Sequence, residues 1–556
     1  MLLSGNEAIA LAAKHAGVAL GAGYPGTPST EILEHFSALG GRAQWSPNEK
    51  VALEVAIGAA FSGARAMATM KHVGLNVAAD PFFTAAYTGV TGGLVVVSAD
   101  DPGMASSQNE QDNRHYAVAA GVPMLEPADS QEAYEFTLAA LEISERWKIP
   151  VLLRVTTRVC HACAVLTVSD GNGGKLPASD LNGGKLPPLL QLNGGKVAPP
   201  RTPKFERDIR GRVMIPSNAR PAHLRLRGKL AEIQAWNETS PFNVVTPGEK
   251  ALGIITSGIS YMHAREAAPE ASVLKLGLTH PLPLQKIAAF AKSVERCVVI
   301  EEGDPFLAEA IRAAGVAVED KPAMYRFGEL NVARVARILQ RDESPETPVP
   351  PGKPPKLCDG CPYHTVFAAL RKLDCIVAGD IGCYSLGVLP PFQAMDTIVC
   401  MGASIGVGLG MRHVLGEEQR RRVVSVIGDS TFIHSGITGL VEMVYNPPPG
   451  GHVVLVLDNA TTAMTGHQEH PATGRSLEHE PANRVVIEDL ARSLGIKRVH
   501  VVEPRMDSGD FERVLRECLE SGEICVIVAR RPCLLIVPKL KQYQQICEGN
   551  CKAGNS

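Results

Sequence analysis

At 556 residues the chain is too long for a single hydrophobic core, so about three domains joined by linkers are expected. With 45% hydrophobic and 20% charged residues and a formal net charge of −3, its balance is that of an ordinary soluble protein and points to no nucleic-acid partner. The opening residues Met1-Leu2-Leu3-Ser4-Gly5-Asn6-Glu7 carry no basic stretch ahead of an apolar one and no run approaches a membrane span, so a cytoplasmic protein with no membrane contact is expected.

Residues 1–165 alternate helical stretches such as Glu7–Ala12 with short apolar strands such as Leu94–Ser98 and Val151–Val155. That alternation predicts an α/β fold built on doubly wound parallel sheets. Tyr24-Pro25-Gly26-Thr27-Pro28-Ser29-Thr30 reads as a turn entering a helix, with Thr27, Pro28 and Ser29 near its start as helix caps. The helical stretch after Trp45 carries two carboxylates, Glu49 and Glu54, which by themselves suit a solvated face. Met70-Lys71-His72-Val73-Gly74 sets a cation and an imidazole side by side ahead of a glycine. Cys160-His161-Ala162-Cys163 has ligand spacing without a second pair nearby, so structural thiols are expected there.

Residues 166–248 are expected to form a linker with a low-complexity insertion, in which Asn-Gly-Gly-Lys recurs at Asn172, Asn182 and Asn193. A second α/β domain is expected over 249–340, with strands at Gly253–Thr256 and Cys297–Glu302, followed by a proline-rich and charged linker at 341–356. The third domain spans 357–540 and a tail 541–556. Within it, Val423–Gly428 and Val453–Leu457 are buried-type strands that run into Asp429 and Asp458-Asn459. Mg²⁺ takes a few hard oxygen ligands and fills its octahedron from phosphate and water, so Asp429, Asn459 and the Thr461 carbonyl can hold a magnesium diphosphate. A helix over Thr431–Tyr445 would turn backbone N–H groups toward the phosphates, while an Asp that merely caps this helix is the competing reading.

Thirteen cysteines are many for a cytoplasmic protein and too irregular for a secreted disulfide framework. Cys358-Asp359-Gly360-Cys361, Cys383 and Cys533 offer four thiolates, the set that a [4Fe–4S] cluster or a Cys₄ zinc site requires. Cys375, Cys400, Cys518 and Cys525 lie in apolar stretches and are expected in the core.

The block from Gly428-Asp429-Ser430 to Asn459 resembles the thiamine-diphosphate motif, Gly-Asp-Gly with an Asn about thirty residues later, except that Ser430 replaces the second glycine. With the downstream run Asp458-Asn459-Ala460-Thr461-Thr462-Ala463-Met464-Thr465-Gly466-His467-Gln468, the chain resembles the 2-oxoacid:ferredoxin oxidoreductases, and among them the large (alpha) subunits of the indolepyruvate type. The resemblance implies a pyrimidine-binding domain at 1–165, a transketolase C-terminal-like domain at 249–340 and a diphosphate-binding domain at 357–540. It implies thiamine diphosphate, Mg²⁺ and a [4Fe–4S] cluster as cofactors and coenzyme A as co-substrate. The expected reaction is oxidative decarboxylation of an arylpyruvate such as indolepyruvate, with electrons passed to ferredoxin or a similar carrier.

Residue by residue, the resemblance makes Glu49 the carboxyl that activates the coenzyme's aminopyrimidine, because it precedes Gly58 by the family's spacing and Glu54 does not. Thr27 would meet the oxoacid, and Lys71 and His72 would reach its carboxylate or the coenzyme. Gly428, Asp429, Ser430, Asn459, Thr461, Thr465, Gly466 and Gln468 would surround the diphosphate and its metal, with His467 near the thiazolium. Cys358, Cys361, Cys383 and Cys533 would hold the cluster. A smaller beta subunit is the expected partner, with a dimer of this chain inside the hetero-oligomer. One departure is expected to matter: the family continues into a ferredoxin-like tail with two Cys-rich runs, whereas here Cys547-Glu548-Gly549-Asn550-Cys551 stands close to the last residue, Ser556. The rival readings are a non-oxidative thiamine-dependent decarboxylase or carboligase without iron, and a scaffold subunit without catalysis.

Overall fold

Ser4 and Glu7 begin the first helix as a capping box: the Ser4 hydroxyl accepts from the Glu7 N–H, and the Glu7 carboxylate accepts from the Ser4 N–H at 2.8 Å. The helix they start, Gly5–His15, opens a run of alternating helices and strands. The computed structural model describes residues 1–167, 202–347, 356–506 and 509–541. The Asn-Gly-Gly-Lys repeat and the Cys547–Cys551 pair lie outside the described residues. The chain divides into two units, 1–347 and 348–556.

The first unit holds a seven-stranded sheet in the order Leu278–His280, Met124–Leu125, Val151–Thr156, Leu94–Asp100, Ala66–Lys71, Leu20–Gly23 and Ala43–Trp45. All its pairings are parallel except the one made by Leu278–His280. Leu94–Asp100 and Val151–Thr156 are buried along their whole length, as continuous apolar runs covered by helices on both faces should be. A four-stranded sheet follows in the order Cys297–Ile300, Glu249–Ser257, Ala271–Leu276 and Asn243–Thr246, the last antiparallel. Arg114 ties the two sheets together, with its guanidinium 2.6 Å from Glu301 and 2.5 Å from Asp112, all three side chains buried.

The stretch expected to be linker over 166–248 holds, in its described part, the 22-residue helix Pro216–Asn237 and the edge strand Asn243–Thr246. The helix escaped a periodicity reading because Pro221 and Gly228 interrupt it and its apolar residues do not all share one face: Ala222, Leu226 and Ile233 are buried, whereas Leu224 is exposed. Its last residue, Asn237, donates to the carbonyls of Leu278 and Pro281 and so anchors the strand that joins the first sheet.

The second unit is a five-stranded parallel sheet in the order Ile376–Ala378, Val423–Gly428, His452–Asp458, Ile524–Arg530 and Arg498–Val502. The period of two along each strand separates two cores. Val424, Val426, Val453 and Leu455 pack with Phe367, Leu370 and Leu515 from helices Tyr363–Lys372 and Asp510–Glu520. Ile427, Val454 and Val456 pack with Ile405, Leu440 and Ile487 from the helices on the other face. Helix formation begins at Asp429 rather than Thr431 and passes through a π-turn at Phe432–Gly436 before Ile437–Tyr445, an irregularity often found beside functional sites. Cys518 and Cys525 are buried and Cys375 is half-buried, but Cys400 is exposed, which corrects its expected place in the core. Among the described residues no helix is long and apolar enough to cross a membrane.

Candidate active site

In parallel α/β sheets, ligands gather outside the carboxyl ends of the strands. In the first unit the expected residues stand there. Lys71 ends the strand Ala66–Lys71, His72 starts the next helix, and the Thr27 loop follows the neighbouring strand Leu20–Gly23. A β-carbon on Gly26 would lie 3.1 Å from the Lys71 side chain, so the Thr27 loop packs directly on that lysine. The Lys71 ammonium donates to the Ser106 carbonyl at 3.1 Å; burial pulls its pKa down, opposed by the charges of Asp101 and Glu49. His72 Nε2 lies 3.1 Å from the Asn109 carbonyl oxygen, and burial again lowers its pKa.

Glu49 is the first residue of helix Glu49–Phe61, behind the cap that Asn48 makes by accepting from the Val51 N–H. It is 4% exposed, whereas Glu54 on the same helix is exposed and paired with Lys50. The structure therefore separates two carboxylates that are equivalent as residue types. Gly74 completes the seat, because a β-carbon there would stand 2.6 Å from Glu49 Oε1 and 2.7 Å from its Cγ. Gly74→Ala is expected to push the carboxyl aside and lower turnover about 10²-fold, the cost of roughly 1 Å of misplacement. The melting temperature should change little, since overpacking of about 1–3 kcal/mol is partly offset by alanine's better helix propensity. An alanine variant with wild-type turnover would remove Gly74 from this role.

In the second unit, Asp429 follows the strand Val423–Gly428 and Asp458 ends the registered neighbouring strand His452–Asp458; both are buried, at 2% and 3% exposure. Asp429 accepts from the N–H groups of Ser430 and Ala460, both at 2.9 Å. Burial, and then the Asp429 charge, raise the pKa of Asp458, with Arg530 acting against them from 2.6 Å. His470 Nε2 is buried 3.2 Å from Asp429 Oδ2 without making a hydrogen bond. Two carboxylates pressed together and an orphaned ring nitrogen beside them are what a divalent cation on Asp429 would relieve, so the residues present fit Mg²⁺. Asp458 and His470 were not singled out by motif, although Asp458 adjoins Asn459.

Ser430 needs no glycine backbone, since it lies in helical conformation and its hydroxyl accepts from Thr462 Oγ1 at 2.8 Å. Asn459 Oδ1 accepts from the Thr461 N–H, and Thr461 Oγ1 donates to the Gln468 carbonyl. The Thr465 hydroxyl donates to Gln468 Oε1 at 2.6 Å, and Gly466 and His467 turn the loop with φ of +122° and +72°.

Cys358, Cys361, Cys383 and Cys533 line one cavity of about 130 Å³, together with Asn459 and His467. Cys533 N–H donates to the Asn459 carbonyl at 2.9 Å, and both Thr431 Oγ1 and Tyr384 OH donate to the carbonyl of Ile381, two residues before Cys383. The cysteine loops are thus tied to the Asp429–Asn459 segments. Burial pushes the Cys361 and Cys383 thiols up to about 11, with the neighbouring cysteines adding to it. Tyr363, buried in the same wall, is pushed up by burial and then by the Asp429 charge. Zinc, with Zn–S of about 2.3 Å, would hold its sulfurs about 3.8 Å apart. Among the described residues only Asp112, His115 and Asp304 bring three such ligand atoms within 4.8 Å of one another, so no three of the four thiols are that close. Cys160 and Cys163 join no such trio either, and Cys160 is buried.

Residues 380–529 match the family "Thiamine pyrophosphate enzyme, C-terminal TPP binding domain", and residues 11–176 match "Pyruvate flavodoxin/ferredoxin oxidoreductase, thiamine diP-bdg". Indolepyruvate oxidoreductase subunit IorA of Archaeoglobus fulgidus is 40% identical over 98% of this chain and 88% of its own length. The chain belongs to the IorA family of indolepyruvate oxidoreductase subunits. The IorA of Thermococcus kodakarensis is 38% identical over 96% of this chain and 86% of its own length. A solved 2-oxoglutarate:ferredoxin oxidoreductase from Magnetococcus marinus aligns weakly, with a TM-score of 0.47 and 17% identity over 62% of this chain and 65% of that one. As a member of the IorA family, the chain is a thiamine-diphosphate-dependent 2-oxoacid oxidoreductase subunit. The doubly wound parallel sheets described above are the expected fold class.

Proposed function

We propose that the chain oxidatively decarboxylates an arylpyruvate, indolepyruvate above all, and passes the electrons through a [4Fe–4S] cluster held by Cys358, Cys361, Cys383 and Cys533 to ferredoxin or a similar carrier. The overall balance is 2-oxoacid carboxylate plus coenzyme A thiol giving acyl-CoA, CO₂, one proton and two electrons. The observation that carries this reading is the single cavity lined by four thiols and by Asn459, whose carbonyl is bonded to the Cys533 N–H at 2.9 Å. Four cysteines lining one cavity suit a one-electron iron–sulfur centre. The names of the IorA relatives support indolepyruvate as substrate.

Thiamine diphosphate, when bound, supplies the electron sink that lets the 2-oxoacid lose CO₂. Glu49 supplies a buried carboxyl able to hold and release a proton against the pyrimidine ring. Asp429, Asn459 and the Thr461 carbonyl hold Mg²⁺, and Gly428, Ser430, Thr465, Gly466 and Gln468 shape the loops around the diphosphate. Lys71, partly desolvated, offers its charge to the substrate carboxylate, with Thr27 and His72 beside it. We assign 1–165 to pyrimidine binding, 249–340 to the transketolase C-terminal-like role and 357–540 to diphosphate binding, and expect a smaller beta subunit as partner in a hetero-oligomer containing two copies of this chain.

Anaerobic purification followed by iron, sulfide and thiamine analysis tests the reading. About four irons and four sulfides per chain in this site are expected, and they should be lost in Cys383→Ser. Bound thiamine diphosphate without iron would replace this reading with a non-oxidative decarboxylase. Failure to bind the coenzyme at all would leave a scaffold subunit.

A further inference from the structure

The cavity shared by the four cysteines has a mainly apolar wall that includes Leu357, Pro362, Leu386, Leu534 and Leu535. His467 stands in that wall, and its ring Nδ1 is buried without a hydrogen-bond partner. The backbone places it there at a cost. His467 has φ of +72°, a region that a side chain with a β-carbon disfavours, and the loop is held by His467 N–H donating to the Thr462 carbonyl at 3.1 Å and Thr462 N–H donating to the Gln468 carbonyl at 2.9 Å. A buried polar nitrogen left without a partner signals a missing one. Of the other polar side chains in the wall, Lys356 is paired with Asp359 on the surface, Asn459 Oδ1 accepts from the Thr461 N–H, and Tyr363 packs edge-on against Tyr384.

We propose that His467 is a positioning residue for electron transfer, donating an N–H hydrogen bond to a sulfur of the cluster in the four-cysteine cavity and so raising its reduction potential. This rests on the cluster reading given above, and it moves His467 from the thiazolium, where resemblance put it, to the redox centre. When the cluster takes up one electron its sulfurs become more negative, and no proton changes hands. A donor fixed in the same cavity stabilises the reduced form more than the oxidised one, and the apolar wall strengthens the effect.

The test uses the full chain with its partner subunit, kept anaerobic, and compares His467→Phe with His467→Gln by iron and sulfide content and by reductive titration followed by electron paramagnetic resonance. The expected result is full iron in both, a midpoint potential clearly more negative in the phenylalanine variant, and a potential close to wild type in the glutamine variant, whose amide still donates. Turnover with the electron acceptor should fall in the phenylalanine variant while KM for the 2-oxoacid is unchanged. If phenylalanine prevents folding, His467→Gly removes the ring and suits the backbone angle, and the same negative shift is expected. An unshifted potential in an iron-loaded donor-less variant overturns the role of His467 alone. A wild-type chain without iron overturns the cluster reading and this proposal with it.

Discussion

Glu49→Gln is expected to lower turnover by about 10²–10⁴-fold, the range contributed by one positioned acid–base group. Glutamine preserves the volume under Gly74 and the first position of the helix, so the fold should be kept. It can still donate a hydrogen bond, but it cannot give up or recover a proton, which is what activating the pyrimidine requires. Glu54→Gln is the internal control; that carboxylate is exposed and pairs with Lys50 at the surface, so its loss should leave turnover within error. The decisive measurement is exchange of the thiazolium C2 proton in bound thiamine diphosphate, quenched and read by NMR, alongside steady-state turnover. Wild-type exchange in Glu49→Gln would move the activating role to another carboxyl.

Asp429→Asn should weaken binding of thiamine diphosphate with Mg²⁺ by at least about 100-fold, since even partners outside the ligand set cost about 10–100-fold in metal affinity. The apo fold should survive, because the change removes one of two buried carboxylates that repel each other and leaves Asp458 with Arg530. At a ligand concentration about 100 times the wild-type Kd, the wild type gains about 2.7 kcal/mol of stability from binding, and the variant should gain almost none of it. Calorimetric titration and a thermal shift with and without Mg²⁺ measure both effects. Coenzyme affinity equal to wild type would show that Asp429 only caps the helix that starts at its own position.

What the sequence by itself determined is local and contiguous. Apolar β-branched runs named the strands that run into Asp429 and Asp458-Asn459, the stretch Glu7–Ala12 named the first helix, and motif spacing singled out Asp429, Asn459 and the Cys358–Cys361 turn, because each signal is carried by neighbours in the chain. The helix Pro216–Asn237 was missed for the same reason in reverse: Pro221 and Gly228 break its local signal, exposed Leu224 blurs its apolar face, and Asn237 and three buried apolar residues hold it against other segments.

Only the tertiary structure decided which distant residues meet. Sheet order places the strand ends carrying Asp429, Asn459 and Cys533 side by side, while Ile381 pins the Cys383 loop to the same edge. Burial separates Glu49 from Glu54, and the close approach of Gly74 turns an unremarked glycine into the seat of a carboxyl. His467 shares one cavity with the four cysteines, on a loop turned by a positive φ. Periodicity reports which face of an element is buried; it carries no information on which other strand end lies beside it, and the chemistry of this site depends on those neighbours.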